Sequence, residues 1–95
     1  MTLILRPEAE SELIEALDWY EARGPGLGAE FFRCVESTFS RIGRNPESYP
    51  VIHRDTRMAL VRRFPYLVLY RVRNEEIVVV AVFHAKRDPK SWKPR

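Results

Sequence analysis

Apolar positions recur along this chain with two different periods, and the change from one to the other divides it. Thr2 to Arg6 (TLILR) is a short aliphatic and β-branched run ended by Pro7, which predicts a first strand. Pro7 then suits the first position of a helix, where its missing N–H costs nothing, and Glu8, Glu10 and Glu12 place negative charge at the positive end of the helix dipole. Ala9, Leu13, Ala16, Leu17 and Tyr20 form one apolar stripe at helical spacing. Glu8, Glu12, Glu15, Asp18 and Glu21 are expected largely on the other side. Gly24-Pro25 stops this helix. From Ala29, the positions Phe32, Val35, Phe39 and Ile42, widened by Phe31, give a second stripe that Asn45-Pro46 ends.

Pro46 to Arg57 (PESYPVIHRDTR) predicts a connection without regular structure, either ordered against the body or part of a binding surface. The period then shortens to two. Met58 to Arg63 predicts a strand, and Pro65, which cannot donate to a ladder, implies a bulge or an edge before the next strand, Tyr66 to Arg73. Asn74-Glu75 predicts a tight turn into Ile77 to His84. IVVVAVF is apolar in both phases, as expected of a strand in mid-sheet with both faces covered. Tyr66, Val68, Tyr70 and Val72 share one face of their strand, and Leu67, Leu69 and Arg71 share the other. The fold class is therefore α+β, in the order β-α-α-β-β-β.

The 95 residues bound this to one expected domain, 1–95, with a single modest core. A composition 45% hydrophobic and 31% charged fits a soluble globular chain. No run approaches the roughly 18 apolar residues that would span a bilayer, and MTLILRPEAE has acids where a signal peptide has its apolar run. A cytoplasmic location without membrane association is expected. The lone Cys34 excludes an intrachain disulfide, and its place beside the second stripe suits a small buried hydrophobe better than a nucleophile. With one cysteine and two histidines, His53 and His84, no metal-ligand spacing exists, so no metal and no cofactor is expected.

Charge changes the picture more than composition does. Residues 1–53 carry nine acids and five basic residues, a net of −4, whereas residues 54–95 carry eleven basic residues and four acids, a net of +7. A basic C-terminal half suits a polyanion or an acidic peptide as partner; the alternative is a sheet edge guarded by charge. Two other features have plain structural readings. The loop GPGLG has no Lys-Ser/Thr after it and no strand before it, so it is a helix connection and not a phosphate loop. His53 reads most simply as an exposed loop histidine, although a loop can carry such a residue to a site.

The segments LDWYEARGPGLGAEFF, RRFPYLVLYRV and His84-Ala85-Lys86-Arg87-Asp88-Pro89, with Trp92 shortly after, resemble the RelE/ParE superfamily of type II toxin–antitoxin toxins, often called plasmid stabilisation proteins. The resemblance covers nearly the whole chain. It implies a small, curved, antiparallel-rich sheet with the two-helix hairpin packed on one face, and a toxin neutralised by a cognate antitoxin that wraps it.

Two branches of that superfamily place different demands on the residues. One consists of ribosome-dependent, metal-independent mRNA endoribonucleases, whose chemistry needs a base, an acid and cations around the phosphorane. If this chain were one of them, His84, Arg63 and Arg87 would be its catalytic candidates. Many such members place a tyrosine near the C-terminus, and here none follows Tyr70. The other, ParE-like branch inhibits DNA gyrase by binding, and the Leu-Asp-Trp-Tyr helix, the long helical hairpin and the His-x-x-Arg-Asp ending resemble it more. Arg62, Arg63, Arg71, Lys86, Arg87 and Trp92 are then the candidates for binding target or antitoxin. Structural readings stand beside these: His84 satisfying a backbone or carboxylate partner such as Asp88, Arg62-Arg63 solubilising a strand edge, and Trp92 packing back over the sheet. A third functional class is a non-toxic member that keeps only antitoxin binding.

Overall fold

A computed structural model describes residues 1–95. Its elements are β1 (Thr2–Leu5), α1 (Pro7–Arg23), α2 (Leu27–Arg44), β2 (Val51–His53), β3 (Thr56–Leu60), β4 (Tyr66–Arg73), β5 (Glu76–His84) and a short 3₁₀ turn at Pro89–Ser91. The five strands form one open mixed sheet in the order β1-β5-β4-β3-β2, parallel between β1 and β5 and antiparallel elsewhere. This is the expected α+β class, with the helical hairpin on one face.

Helix α1 begins with Pro7 at its first position and Glu8 and Glu10 in its first turn. At the hairpin, the Glu21 carboxylate accepts hydrogen bonds from the N–H groups of Gly26 (3.1 Å) and Gly28 (3.0 Å), answering the free donors that open α2. Gly26 sits at φ +84°, a conformation that costs glycine little, and a Cβ on Gly28 would lie 2.8 Å from the Leu17 carbonyl oxygen. These contacts let the helices close together, as a connector and not a phosphate loop. On α2, Phe31, Val35, Thr38 and Ile42 are buried, whereas Phe32 stays partly exposed at 37% and Cys34 is only half-buried. The stripe thus turns toward Phe31, away from the expected Phe32.

The strands depart from expectation at three points. The segment expected to lack structure contains β2, an exposed edge strand that pairs with β3 through a tight turn at Arg54 (φ 51°). Three residues are too few to show a period, so only pairing defines this strand. The next strand starts and ends earlier than expected, at Thr56–Leu60, leaving Val61 to Pro65 as a connector. Lastly, β4 and not β5 is the middle strand, and β5 lies between β4 and β1. The turn at Asn74-Glu75 does form the β4–β5 hairpin, with φ at 51° and 62°, the positive values a two-residue hairpin turn requires.

Both faces of β5 are covered, for different reasons. Ile77, Val79 and Val82 join Val68 and Tyr70 beneath Ala9, Leu13, Ala16, Phe31, Val35 and Ile42 of the helices. Val80, Ala81 and Phe83 face the other way with Leu69, against Trp92. Two consecutive residues, Val80 and Ala81, point to one side because the β4–β5 register slips there: Leu69 pairs with Ala81, but Tyr70 pairs with Val79. The bulge explains an apolar run with no clean alternation.

Candidate functional site

Three strand ends meet at one edge of the molecule. Leu60 of β3 pairs with Leu67, and Tyr66 of β4 pairs with His84, so the β3–β4 connector and the segment after β5 emerge side by side. The Ala85 N–H joins them by donating to the Pro65 carbonyl (2.8 Å). Arg62, Arg63, His84, Lys86 and Arg87 are thereby brought together. The connector itself is anchored by Phe64, whose ring packs against Tyr20 (4.9 Å between centroids) and Phe31 (5.2 Å). Arg63 takes φ +72°, a sparsely populated conformation for a residue with a Cβ, held by the strands on either side.

The charges here are loosely held. Arg62 and Lys86 are exposed and take part in none of the chain's ion pairs. Arg63 lies 3.6 Å from Glu30 but remains two-thirds exposed, and Arg87 lies 3.8 Å from Glu12 with its side chain half exposed. Pairs of this kind contribute little stability. They leave the cations free to meet another molecule.

His84 is held differently. Its Nδ1 accepts a hydrogen bond from the Lys86 N–H (3.1 Å), which assigns the ring proton to Nε2 in the neutral imidazole. The ring packs edge-on against Tyr66 (5.2 Å), so its partners are Lys86 and Tyr66 and not Asp88, whose carboxylate caps the 3₁₀ turn by accepting from the Lys90 N–H.

The other candidates lie elsewhere. Arg71 is largely buried: its Nε donates to Thr56 Oγ1 (3.0 Å) and lies 3.3 Å from Asp55, and its Nη1 donates to the main-chain oxygen of Arg95 (2.9 Å). Arg73 also holds Asp55, and its hydrogen bond, with Arg71 adding to the effect, keeps the carboxyl below the usual carboxylate range. Trp92 is buried on the back face, with Phe83 at 6.4 Å and the half-buried His53 at 5.8 Å. It packs over the sheet. No group of three His, Cys, Asp or Glu side chains is placed to hold a metal ion, and no helix is long and apolar enough to cross a membrane.

Beside the cationic edge, α1 and the ends of β4 and β5 enclose a cleft of about 420 Å³, lined by Glu12, Glu15, Ala16, Trp19, Tyr20, Tyr66, Val82, His84 and Arg87. Burial pushes the Tyr66 phenol above its ordinary range; Tyr20 and Glu15 add to this and Arg87 opposes it. Glu12, which lines the cleft, is nearly buried and not on the polar side of α1 opposite the apolar stripe, where it is expected with the other acids. Its two carboxylate oxygens each accept from Arg95 at 2.9 Å, and one also accepts the Val82 N–H (3.1 Å). Arg95 donates in turn to the Val80 carbonyl (3.0 Å). Because β1 pairs with β5 only as far as Val79, this ion pair satisfies main-chain groups of β5 where no strand reaches them.

Comparison with known proteins agrees with this architecture. Residues 3–89 match the family described as "ParE toxin of type II toxin-antitoxin system, parDE". The chain belongs to the ParE toxin family. It is 28% identical over 81 residues to Toxin ParE2 of Mycobacterium tuberculosis, in both the CDC 1551 / Oshkosh and H37Rv strains, an overlap covering 84% of this chain and 77% of each relative. Its fold is similar to that of a solved structure titled "Chromosomal ParDE TA system from P. aeruginosa", with TM-score 0.80 and 18% identity over 90% of this chain and 97% of that one.

In this ParE-family chain, sequence reasoning missed Glu12, Arg95, Trp19 and Tyr66 as neighbours of His84 and Arg87. An acid in a helix and an arginine 83 positions later give no pairing signal. The aromatic triplet Trp19, Tyr20 and Tyr66 had a partial signal, because Trp19 is a large apolar residue outside the α1 stripe and is half exposed in the structure.

Proposed function

We propose that this ParE-family toxin acts by binding, with DNA gyrase as its target and its basic strand-end edge as the contacting surface, and that a cognate antitoxin neutralises it by covering that edge. The observation that carries this reading is the hydrogen bond from the Lys86 N–H to His84 Nδ1. A general base would need a free lone pair on Nε2, and a general acid for a leaving oxygen would need a proton on both ring nitrogens. With Nδ1 accepting from the Lys86 N–H, the ring turns an N–H and not a lone pair outward at Nε2. In this arrangement a ribonuclease built on His84, Arg63 and Arg87 has no outward-facing imidazole base, whereas a binding surface needs only the cations. Arg62, Arg63, Lys86 and Arg87 supply these; Arg71, bound to Thr56, Asp55 and Arg95, and Trp92, buried on the back face, are outside this surface.

The antitoxin that fits this surface is an acidic segment with apolar anchors. Exposed Ile14 and Trp19 on α1 offer contacts for the anchors, and the basic edge offers contacts for the acids. The decisive experiment is a gyrase supercoiling assay with the purified protein, run beside a translation reaction. Loss of supercoiling at stoichiometric protein, with mRNA intact, is expected. Replacing Arg62, Arg63 and Arg87 with Ala should weaken antitoxin association and flatten its salt dependence. Ribosome-dependent mRNA cleavage abolished by His84→Ala would overturn the binding reading. A soluble, folded protein without growth arrest on overexpression would favour a member that keeps only antitoxin binding.

A further inference from the structure

The cleft beside the cationic edge has an inventory of its own. The Glu12 carboxylate is occupied by Arg95 and the Val82 N–H. Of the remaining polar groups, the Arg87 guanidinium makes no hydrogen bond at all, its nearest acid being 3.8 Å away. His84, with Nδ1 occupied, presents Nε2–H. The Tyr20 and Tyr66 hydroxyls, protonated at neutral pH as ordinary phenols are, are bonded to no other group of the chain, and burial pushes both phenols further up. Hydrogen-bond donors therefore outnumber acceptors, and the one acceptor without an ion-pair partner among the lining acids is Glu15. The walls are aromatic: Trp19 and Tyr20 meet edge-to-face at 5.1 Å, and Tyr20 and Tyr66 at 6.1 Å.

We propose that this cleft binds a nucleoside monophosphate, its base against the Trp19, Tyr20 and Tyr66 rings and its phosphate on the Arg87 guanidinium and the His84 Nε2–H. Three features select this class. The volume, about 420 Å³, lies in the range of small-ligand sites. Excess donors at one end suit a multiply charged oxyanion, with Lys86 and Arg62 adding positive potential from the adjoining edge. Aromatic walls with one carboxylate suit a planar group that has N–H donors of its own, such as an exocyclic amino group or a ring imide. A simple carboxylic acid would meet the donors and leave the rings empty. The site shares Arg87 and Trp19 with the surface proposed for target and antitoxin, but binding of the nucleotide itself requires neither gyrase nor antitoxin.

Isothermal calorimetry on the full chain tests it with four probes: AMP, UMP, adenosine and inorganic phosphate. Saturable binding of AMP or UMP with a Kd near or below about 1 mM is expected, with adenosine and phosphate each about tenfold weaker. Arg87→Ala should lower nucleotide affinity about tenfold by removing the main phosphate contact, and Trp19→Ala should do so by removing a stacking wall. Both side chains are half exposed, so the variants should fold, and unchanged thermal melts would verify this. Lys90→Ala, on the tail, should bind as the unaltered protein does. Trp19 fluorescence gives a second readout, because the other tryptophan, Trp92, is buried on the opposite face. No saturable heat with either nucleotide, phosphate binding as tightly as AMP, or an Arg87→Ala variant with undiminished affinity would overturn the proposal.

Discussion

The two ends of the sheet carry the same kind of residue and use it in opposite ways. At the end where β3 begins and β4 finishes, Arg71 and Arg73 are bound to Asp55, Thr56 and the main chain of Arg95, and Arg57 donates to the carbonyls of Glu47 (2.9 Å) and Tyr49 (2.8 Å). At the end where β3 finishes and β4 begins, Arg62 and Lys86 have no partner, and the half- to two-thirds-exposed Arg63 and Arg87 have only long contacts, 3.6 Å to Glu30 and 3.8 Å to Glu12. Arginine at a strand end therefore says little by itself. Where its donors are consumed by the chain it fixes loops and tail; where they are not, it is available to another molecule.

That contrast can be broken from either side, and the largest effect is expected at the ion pair that ties the tail to the helix. Glu12→Ala strands the Arg95 guanidinium and the Val82 N–H together, and should lower stability by about 3 kcal/mol in chemical denaturation. Glu12→Gln, which keeps the shape and one acceptor, should lose less. Arg71→Ala comes next, at about 2 kcal/mol, since it removes charged hydrogen bonds from a largely buried position; target binding by the folded fraction should be unchanged.

Tyr70 gives a smaller effect with a pH signature. Its hydroxyl donates to the Pro46 carbonyl (2.6 Å), so Tyr70→Phe should cost about 1 kcal/mol at neutral pH. Burial pushes the phenol up to about 12 from an ordinary value of 10.0, and above that ordinary value the unfolded chain gives up this proton before the folded one does. Its contribution is therefore fully present below about pH 10 and is lost as pH rises toward 12. Thermal melts across this window should show an alkaline loss that is shallower in Tyr70→Phe. The smallest stability effect belongs to the free cations: Arg62→Ala with Lys86→Ala should stay within about 0.5 kcal/mol of the unaltered protein. The same pair should weaken target binding and reduce its salt dependence. A double variant that melts much earlier would show that this edge is bound up in the fold after all.

Legibility in the sequence followed how local each feature is. The β4–β5 hairpin was readable because its turn and its two apolar runs are contiguous. Helix α1 was readable because Pro7, Glu8 and the 3.6-residue stripe all act within a few turns. Strand β2 was not, since its three residues carry no period and owe their conformation to β3. The cationic edge was half readable: Arg62, Arg63, Lys86 and Arg87 could be picked out as strand-end charges, but Arg71, indistinguishable from them by pattern, lies among the bound cations. Glu12 was placed on the wrong side of α1 because amphipathic patterning sorts residues by polarity, and an ion pair with Arg95 reverses that sorting.

The sequence by itself determined the element order, the α+β class and the excess of positive charge in the second half, because periodicity, turn residues and local charge act over a few positions; the likeness to ParE-like toxins came from contiguous segments similar to that family. Only the tertiary structure decided which cations are free, which nitrogen of His84 carries the proton, and that an aromatic cleft adjoins the basic edge. Each of these depends on groups far apart in the chain, brought within hydrogen-bonding distance by strand register and by the tail folding back onto α1.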